Sequence, residues 1–122
     1  MAEQARDLVV FVTHGIEHEL SSVGFTFANG GITSGLKVSI FLVGTGVDLV
    51  RKRGTDLTHA HPCEPLKSLI GDFIARGGKL WACVLCVKAR GYTEADLLDG
   101  VVISGASVVH ELIKTGAATA SF

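Results

Sequence analysis

At 122 residues the chain has the length of one domain, and its composition, 48% hydrophobic and 19% charged with mean hydropathy +0.43, excludes a disordered segment. A net charge of −1 with no basic stripe, Arg51-Lys52-Arg53 being an isolated trio, leaves nucleic-acid binding without its electrostatic footprint. The first apolar run, Leu8–Val12, is too short for a signal or membrane segment and is flanked by acidic residues, and three cysteines is an odd count, so a cytoplasmic protein with free thiols is expected.

Short β-branched runs then alternate with helical periods. Leu8–Val12 (LVVFV) reads as a buried strand. A helix over 17–29 follows on Leu20, Val23, Phe27 and Ala28, with Gly30-Gly31 expected to end or loosen it. Lys37–Val43 is a second strand, and Val47–Val50 continues helically into a polar loop through Gly54 and His61. Pro62 and Pro65 flank the next helix start, whose stripe is Leu66, Leu69, Ile70, Phe73 and Ile74, stopped by Gly77-Gly78. Lys79–Cys83 is a third strand. Thr93 with Asp96 resembles a capping box for a short helix at 93–99. Val101–Ser104 is a fourth strand, and Ser107 is placed to cap a helix built on Val108, Val109, Leu112 and Ile113 and ended by Gly116. Ala117–Phe122 makes a weak fifth strand. This alternation predicts an α/β fold, a mostly parallel sheet covered on both faces, within a single domain spanning 1–122. The apolar composition favours subunit contacts over a single self-sufficient core, since small domains hide such surface with difficulty.

In parallel sheets ligands collect outside the carboxyl ends of the strands. Thr13-His14-Gly15, Val43-Gly44-Thr45-Gly46, Cys83 and Ser104-Gly105 all fall there. The segment 81–91, WACVLCVKARG, holds two of the three cysteines. If the strand ends near Cys83 and a helix follows, Cys83 sits where unpaired amide N–H groups lower a thiol pKa, with Lys88 and Arg90 adding positive potential and Cys86 one turn deeper. The alternative is two small buried hydrophobes. A thioredoxin-like couple has this spacing too, but Val84-Leu85 between the cysteines and the short segment before Gly91 suit it poorly.

Thr58–Cys63, THAHPC, places His59, His61 and Cys63 on one side of an extended segment, a partial metal-ligand set or simply a polar loop over the rim. His14 is placed to orient or deprotonate a thiol, or is a satisfied strand-end histidine. His18 and His110 read as ordinary helix residues. Gly44-Thr45-Gly46 is a weak phosphate cradle without a fuller motif.

The segment from Cys83 to Gly91 resembles the cysteine segment of the DsrE/DsrF-like family of sulfur-relay proteins, in which a cysteine at a strand end is followed eight residues later by the glycine of an Arg-Gly pair. The order of the surrounding elements is similar across nearly the whole chain. The resemblance implies a three-layer α/β/α sandwich around a five-stranded, mostly parallel sheet, and assembly into homo-oligomers or hetero-oligomers, often trimers or hexamers. It implies that Cys83 accepts sulfane sulfur as a persulfide and passes it to a partner thiol, often that of a small carrier resembling the DsrC-like proteins. Cys86 stands where some members also carry cysteine. With His14 it is expected to tune or resolve Cys83, while Arg90 contributes field or packing. The THAHPC loop departs from the family pattern. The expected function is therefore a sulfurtransferase-like persulfide carrier, with no cofactor, nucleic-acid or membrane partner. The alternatives are a non-catalytic oligomeric binding or assembly subunit and a metal-binding protein using His59, His61 and Cys63.

Overall fold

The computed structural model describes residues 6–122. Residues 1–5, part of the flank that argued against a leader segment, lie outside the described residues. Five strands form one sheet, β1 Asp7–Val12, β2 Lys37–Leu42, β3 Lys79–Cys83, β4 Val101–Ser104 and β5 Ala118–Ser121. Their order is β4-β3-β2-β1-β5, and every pairing is parallel. The helices are α1 Glu19–Thr33, α2 Leu66–Ala75, α3 Val84–Ala89 and α4 Ser107–Lys114, with a 3-10 helix at Gly44–Val50 and a single 3-10 turn at Glu94–Asp96. The sheet is all-parallel rather than mostly parallel, because every connection is a crossover. No described helix is long and apolar enough to cross a membrane.

The layers follow from the direction in which the chain steps. From β1 to β4 each connection moves one place along the sheet in the same sense. Right-handed crossovers then put α1, α2 and α3 on one face. The last connection returns across the whole sheet to β5, so α4 lies on the other face. The pleat divides the strands accordingly. Leu8, Val10, Val12, Ile40, Leu42, Leu80 and Ala82 join Phe25, Phe73 and Val87 in the larger core. Val9, Phe41 and Trp81 face Val108, Val109 and Leu112 of α4 in a smaller one.

Three expected boundaries move, each for a packing reason. Gly30-Gly31 does not end α1, which runs to Thr33; a Cβ on Gly31 would stand 3.0 Å from Val38 Cγ2 and 3.2 Å from Leu8 Cδ2, so the glycine lets helix and sheet approach closely. The Thr93–Asp96 capping box forms, but the expected helix over 93–99 is one 3-10 turn. Leu97 is pulled extended by its bridge to Arg51, its buried side chain and the Leu98 N–H bond to Val50 O at 2.8 Å, and these tertiary bonds win over helix continuation. Ser107 is the first residue of α4 rather than its cap; Ala106 holds that position, with no side-chain capping bond.

Candidate functional site

Cys83 is the last residue of β3 and the N-cap of α3, with φ −59° and ψ 122°. The next six residues are helical, and Gly91 takes φ +70° immediately after Arg90. There Gly91 N–H donates to Lys88 O (3.0 Å) and Tyr92 N–H to Val87 O (3.1 Å), the paired bonds of a Schellman termination. The eight-residue separation of Cys83 and Gly91 is thus the length of a short helix between an N-cap and the left-handed residue that ends it. The same paired termination closes α1 at Gly35, α2 at Gly77 and α4 at Gly116.

On β3 the alternation puts Lys79, Trp81 and Cys83 on the α4 face, and the Cys83 side chain packs, half-buried, against the smaller core of Val9, Phe41 and Val109. Two opposed effects act on its thiol. Burial pushes its pKa up; the Cys86 N–H, the Cys86 thiol and the Leu85 N–H, aimed at the sulfur, pull it down and prevail, so the thiol ionises below the ordinary cysteine range. None of these donors closes a capping bond of ordinary geometry; they act as weaker, convergent partners. Leu85, the next residue but one, is 74% exposed, so this end of α3 meets solvent.

Cys86 lies one turn on and packs against the larger core. Its Sγ accepts the Gly44 N–H at 3.1 Å. Gly44-Thr45-Gly46, read from sequence as a weak phosphate cradle, therefore turns one of its amides onto sulfur. The turn is fixed from below, because a Cβ on Gly46 would run into Val12 O.

Arg90 Nη1 donates to Cys86 O at 3.1 Å, and its Nε stands 3.6 Å from Asp48 Oδ1, which also accepts the Tyr92 hydroxyl at 2.6 Å. Its guanidinium thus ties the end of α3 to the 3-10 helix, and it is not among the groups that shift Cys83. His14 is carried at the end of β1, with β2 between it and β3, roughly 10 Å of sheet away. Its ring lies 4.0 Å from that of His18, and its Nδ1 3.4 Å from Thr13 Oγ1. Thr13 Oγ1 also donates to Phe122 O at 3.1 Å. His18, read as an ordinary helix residue, caps α1 by accepting the Leu20 N–H on Nδ1 at 3.1 Å.

In the THAHPC loop the His59 and His61 rings are 3.8 Å apart, and His59 Nε2 is committed to Cys63 O at 2.9 Å. No three His, Cys, Asp or Glu side chains among the described residues come together so as to hold a metal ion. The loop instead walls an open cleft of about 670 Å³, with His18, Glu19, Arg53, Asp56 and His59 on its sides; Cys83 is not part of it. Asp48 is a residue that sequence reasoning did not assign, and Gly44 was read only as part of a weak phosphate cradle. The Gly44-Thr45-Gly46 cluster at a strand end signalled a turn there, but nothing in it announced the sulfur contact.

The model of the DsrE/DsrF-like family matches residues 6–122. The chain belongs to the DsrE/DsrF-like family. Among its relatives, this DsrE/DsrF-like protein is 28% identical over 106 residues to the uncharacterized protein MJ0989 of Methanocaldococcus jannaschii, covering 87% of this chain and 85% of that one. It is 35% identical over 83 residues to the uncharacterized protein MJ0760 of the same organism, covering 67% of this chain but only 30% of the length of that relative. Among solved structures it resembles the ychN protein from E. coli, with TM-score 0.76, 18% identity and coverage of 96% of this chain and 99% of that one. It also resembles MTH1491 from Methanobacterium thermoautotrophicum, a protein of unknown function, with TM-score 0.72, 16% identity and coverage of 96% and 99%. At these identities the structural likeness establishes the shared α/β fold.

Proposed function

We propose that this DsrE/DsrF-like protein is a sulfur-relay protein that carries sulfane sulfur on Cys83 and hands it to a partner thiol. The observation that carries the reading is the half-buried Cys83 sulfur at the junction of β3 and α3, where convergent amide and thiol donors favour its ionised form. In the loading step the Cys83 thiolate attacks the sulfane sulfur of a polysulfide or persulfide donor. The donor's S–S bond breaks, its remainder departs with the electron pair, and Cys83 becomes a persulfide. In the transfer step a partner thiolate attacks the outer sulfur and Cys83 leaves as thiolate. One low thiol pKa serves both steps, because the thiolate is the attacking species at neutral pH and a weakly basic thiolate leaves faster. No catalytic base is needed, which suits a site that His14 does not reach. A small carrier protein with a mobile thiol segment is the partner expected, with the chain working as a homo-oligomer.

Incubation with inorganic polysulfide, removal of the excess and intact-mass measurement test the reading. Wild type should gain the mass of sulfur atoms, and the gain should be lost in Cys83→Ser. Sulfur loading that survives this substitution rules the reading out. A subunit serving assembly alone would be indifferent to Cys83→Ala in both sulfur uptake and oligomeric state.

A further inference from the structure

The persulfide reading uses one thiol, yet the fold keeps a second one beside it. Cys86 is three residues beyond Cys83, and on a helix this spacing brings side chains to within roughly 5–6 Å at Cβ. Cys83 precedes the helix as its N-cap, with φ −59° and ψ 122°, the position from which a side chain can reach the groups of the first turn. The Cys86 sulfur has a defined position, since it accepts the Gly44 N–H at 3.1 Å and packs on the larger core. With that lone pair engaged the Cys86 S–H is left to be donated, and the Cys86 thiol is one of the groups that draw the Cys83 pKa down.

We propose that Cys83 and Cys86 form a dithiol that discharges the Cys83 persulfide as hydrogen sulfide, a sulfane-reducing activity in addition to relay. This rests on the persulfide reading above. Cys86 attacks the inner sulfur, Cys83 Sγ, and a Cys83–Cys86 disulfide bond forms. The bond from Cys83 Sγ to the outer sulfur breaks, and the outer sulfur leaves as HS⁻ with the electron pair and the Cys86 proton. The sulfane sulfur is reduced to sulfide while the two cysteines are oxidised, and charge and atoms balance without a further reactant. Renewal of the site requires an external dithiol reductant. Inner attack closes directly over the first turn of α3, where Cys83 is the half-buried N-cap and Cys86 is seated on the larger core. The product spans the first turn of α3, and its formation draws the two Cβ atoms in from that helical spacing to the roughly 3.5–4.5 Å a disulfide needs.

The test loads reduced full-length protein with inorganic polysulfide, removes the excess, and follows trapped sulfide together with intact mass and peptide maps. Wild type should release sulfide as a Cys83–Cys86 disulfide appears. Cys86→Ser, with Cys86→Ala as a second variant, should keep its persulfide and release sulfide roughly tenfold more slowly or less. A wild-type persulfide as long-lived as that of the Cys86 variants overturns this inference and leaves the relay reading standing. Failure of wild type and variants alike to take up sulfur removes the relay reading, and the inference with it. Separately, diamide oxidation of wild type without any sulfane donor should yield the Cys83–Cys86 disulfide on the peptide map. Its absence overturns the inference whatever the loading experiment gives.

Discussion

The Cys83–Gly91 spacing is explained as an N-cap, a short helix and a left-handed stop, and Gly91→Ala tests that explanation directly. A Cβ on Gly91 would meet no atom within 4 Å, so substitution carries no steric penalty and isolates the backbone effect. Holding an L-residue at φ +70° costs about 1–2 kcal/mol. The stiffer unfolded chain of alanine returns about 0.4–1 kcal/mol. The net loss then centres on about 0.8 kcal/mol, within a span of about 0–1.6 kcal/mol, or a few degrees in Tm for a domain of this size. Gly30→Ala is the matched control. It also meets no atom within 4 Å, but it lies inside α1 with ordinary helical geometry, so it should stabilise by about 0.5–1 kcal/mol. Urea melts of both variants should therefore bracket wild type, and Gly91→Ala should also slow alkylation of Cys83 by fraying the helix that aims the amides. A Gly91→Ala midpoint at or above wild type, or a Gly30→Ala midpoint below it, refutes the explanation.

The rate of iodoacetamide labelling at Cys83 should reach half its maximum at lower pH than for a free cysteine peptide, and Cys86→Ala should move that midpoint upward by removing one donor. An acid whose folded pKa is depressed adds stability above its unfolded pKa and loses it as pH falls through the folded value, so any contribution from Cys83 appears on the alkaline side. A labelling midpoint equal to the peptide's would mean that burial, not the donors, dominates. Gly78→Ala would drive its Cβ into the ring of Phe73, itself fully buried and edge-on to Phe25 at 6.0 Å, and should cost about 1–3 kcal/mol in urea melts. A neutral result would show that the α2–β3 turn yields more easily than its packing implies.

The strands were legible because buried parallel strands are continuous apolar runs, and β3 and β4 fall on the residues the pattern predicts. Cys83 as a strand-to-helix junction was equally legible, since Lys79–Cys83 and the Arg90-Gly91 pair mark both ends of the short element between them. The boundaries that moved depended on partners distant in sequence. Gly31 is helical because Val38 and Leu8 press against it, and Leu97 is extended because Val50 and Arg51 bind its neighbourhood. The immediate surroundings of the thiols were hidden for the same reason. Gly44 meets Cys86 across 42 positions and Asp48 meets Tyr92 across 44, and no local pattern encodes such a meeting. His14, Arg90 and Cys86 all belong to the same neighbourhood in sequence logic, yet only Cys86 acts on the Cys83 sulfur.

Because β5 runs parallel beside β1, Phe122 finishes at the same end of the sheet as Thr13, whose N–H it accepts at 2.9 Å, while Arg6 is anchored to Gly116 O at the opposite end. A purification handle appended after Phe122 would therefore emerge on the side where Cys83 is presented and compete with any incoming protein. One placed ahead of Arg6 would leave from the far side. Pull-down and kinetic studies of this thiol are best carried out with the affinity sequence at the amino terminus.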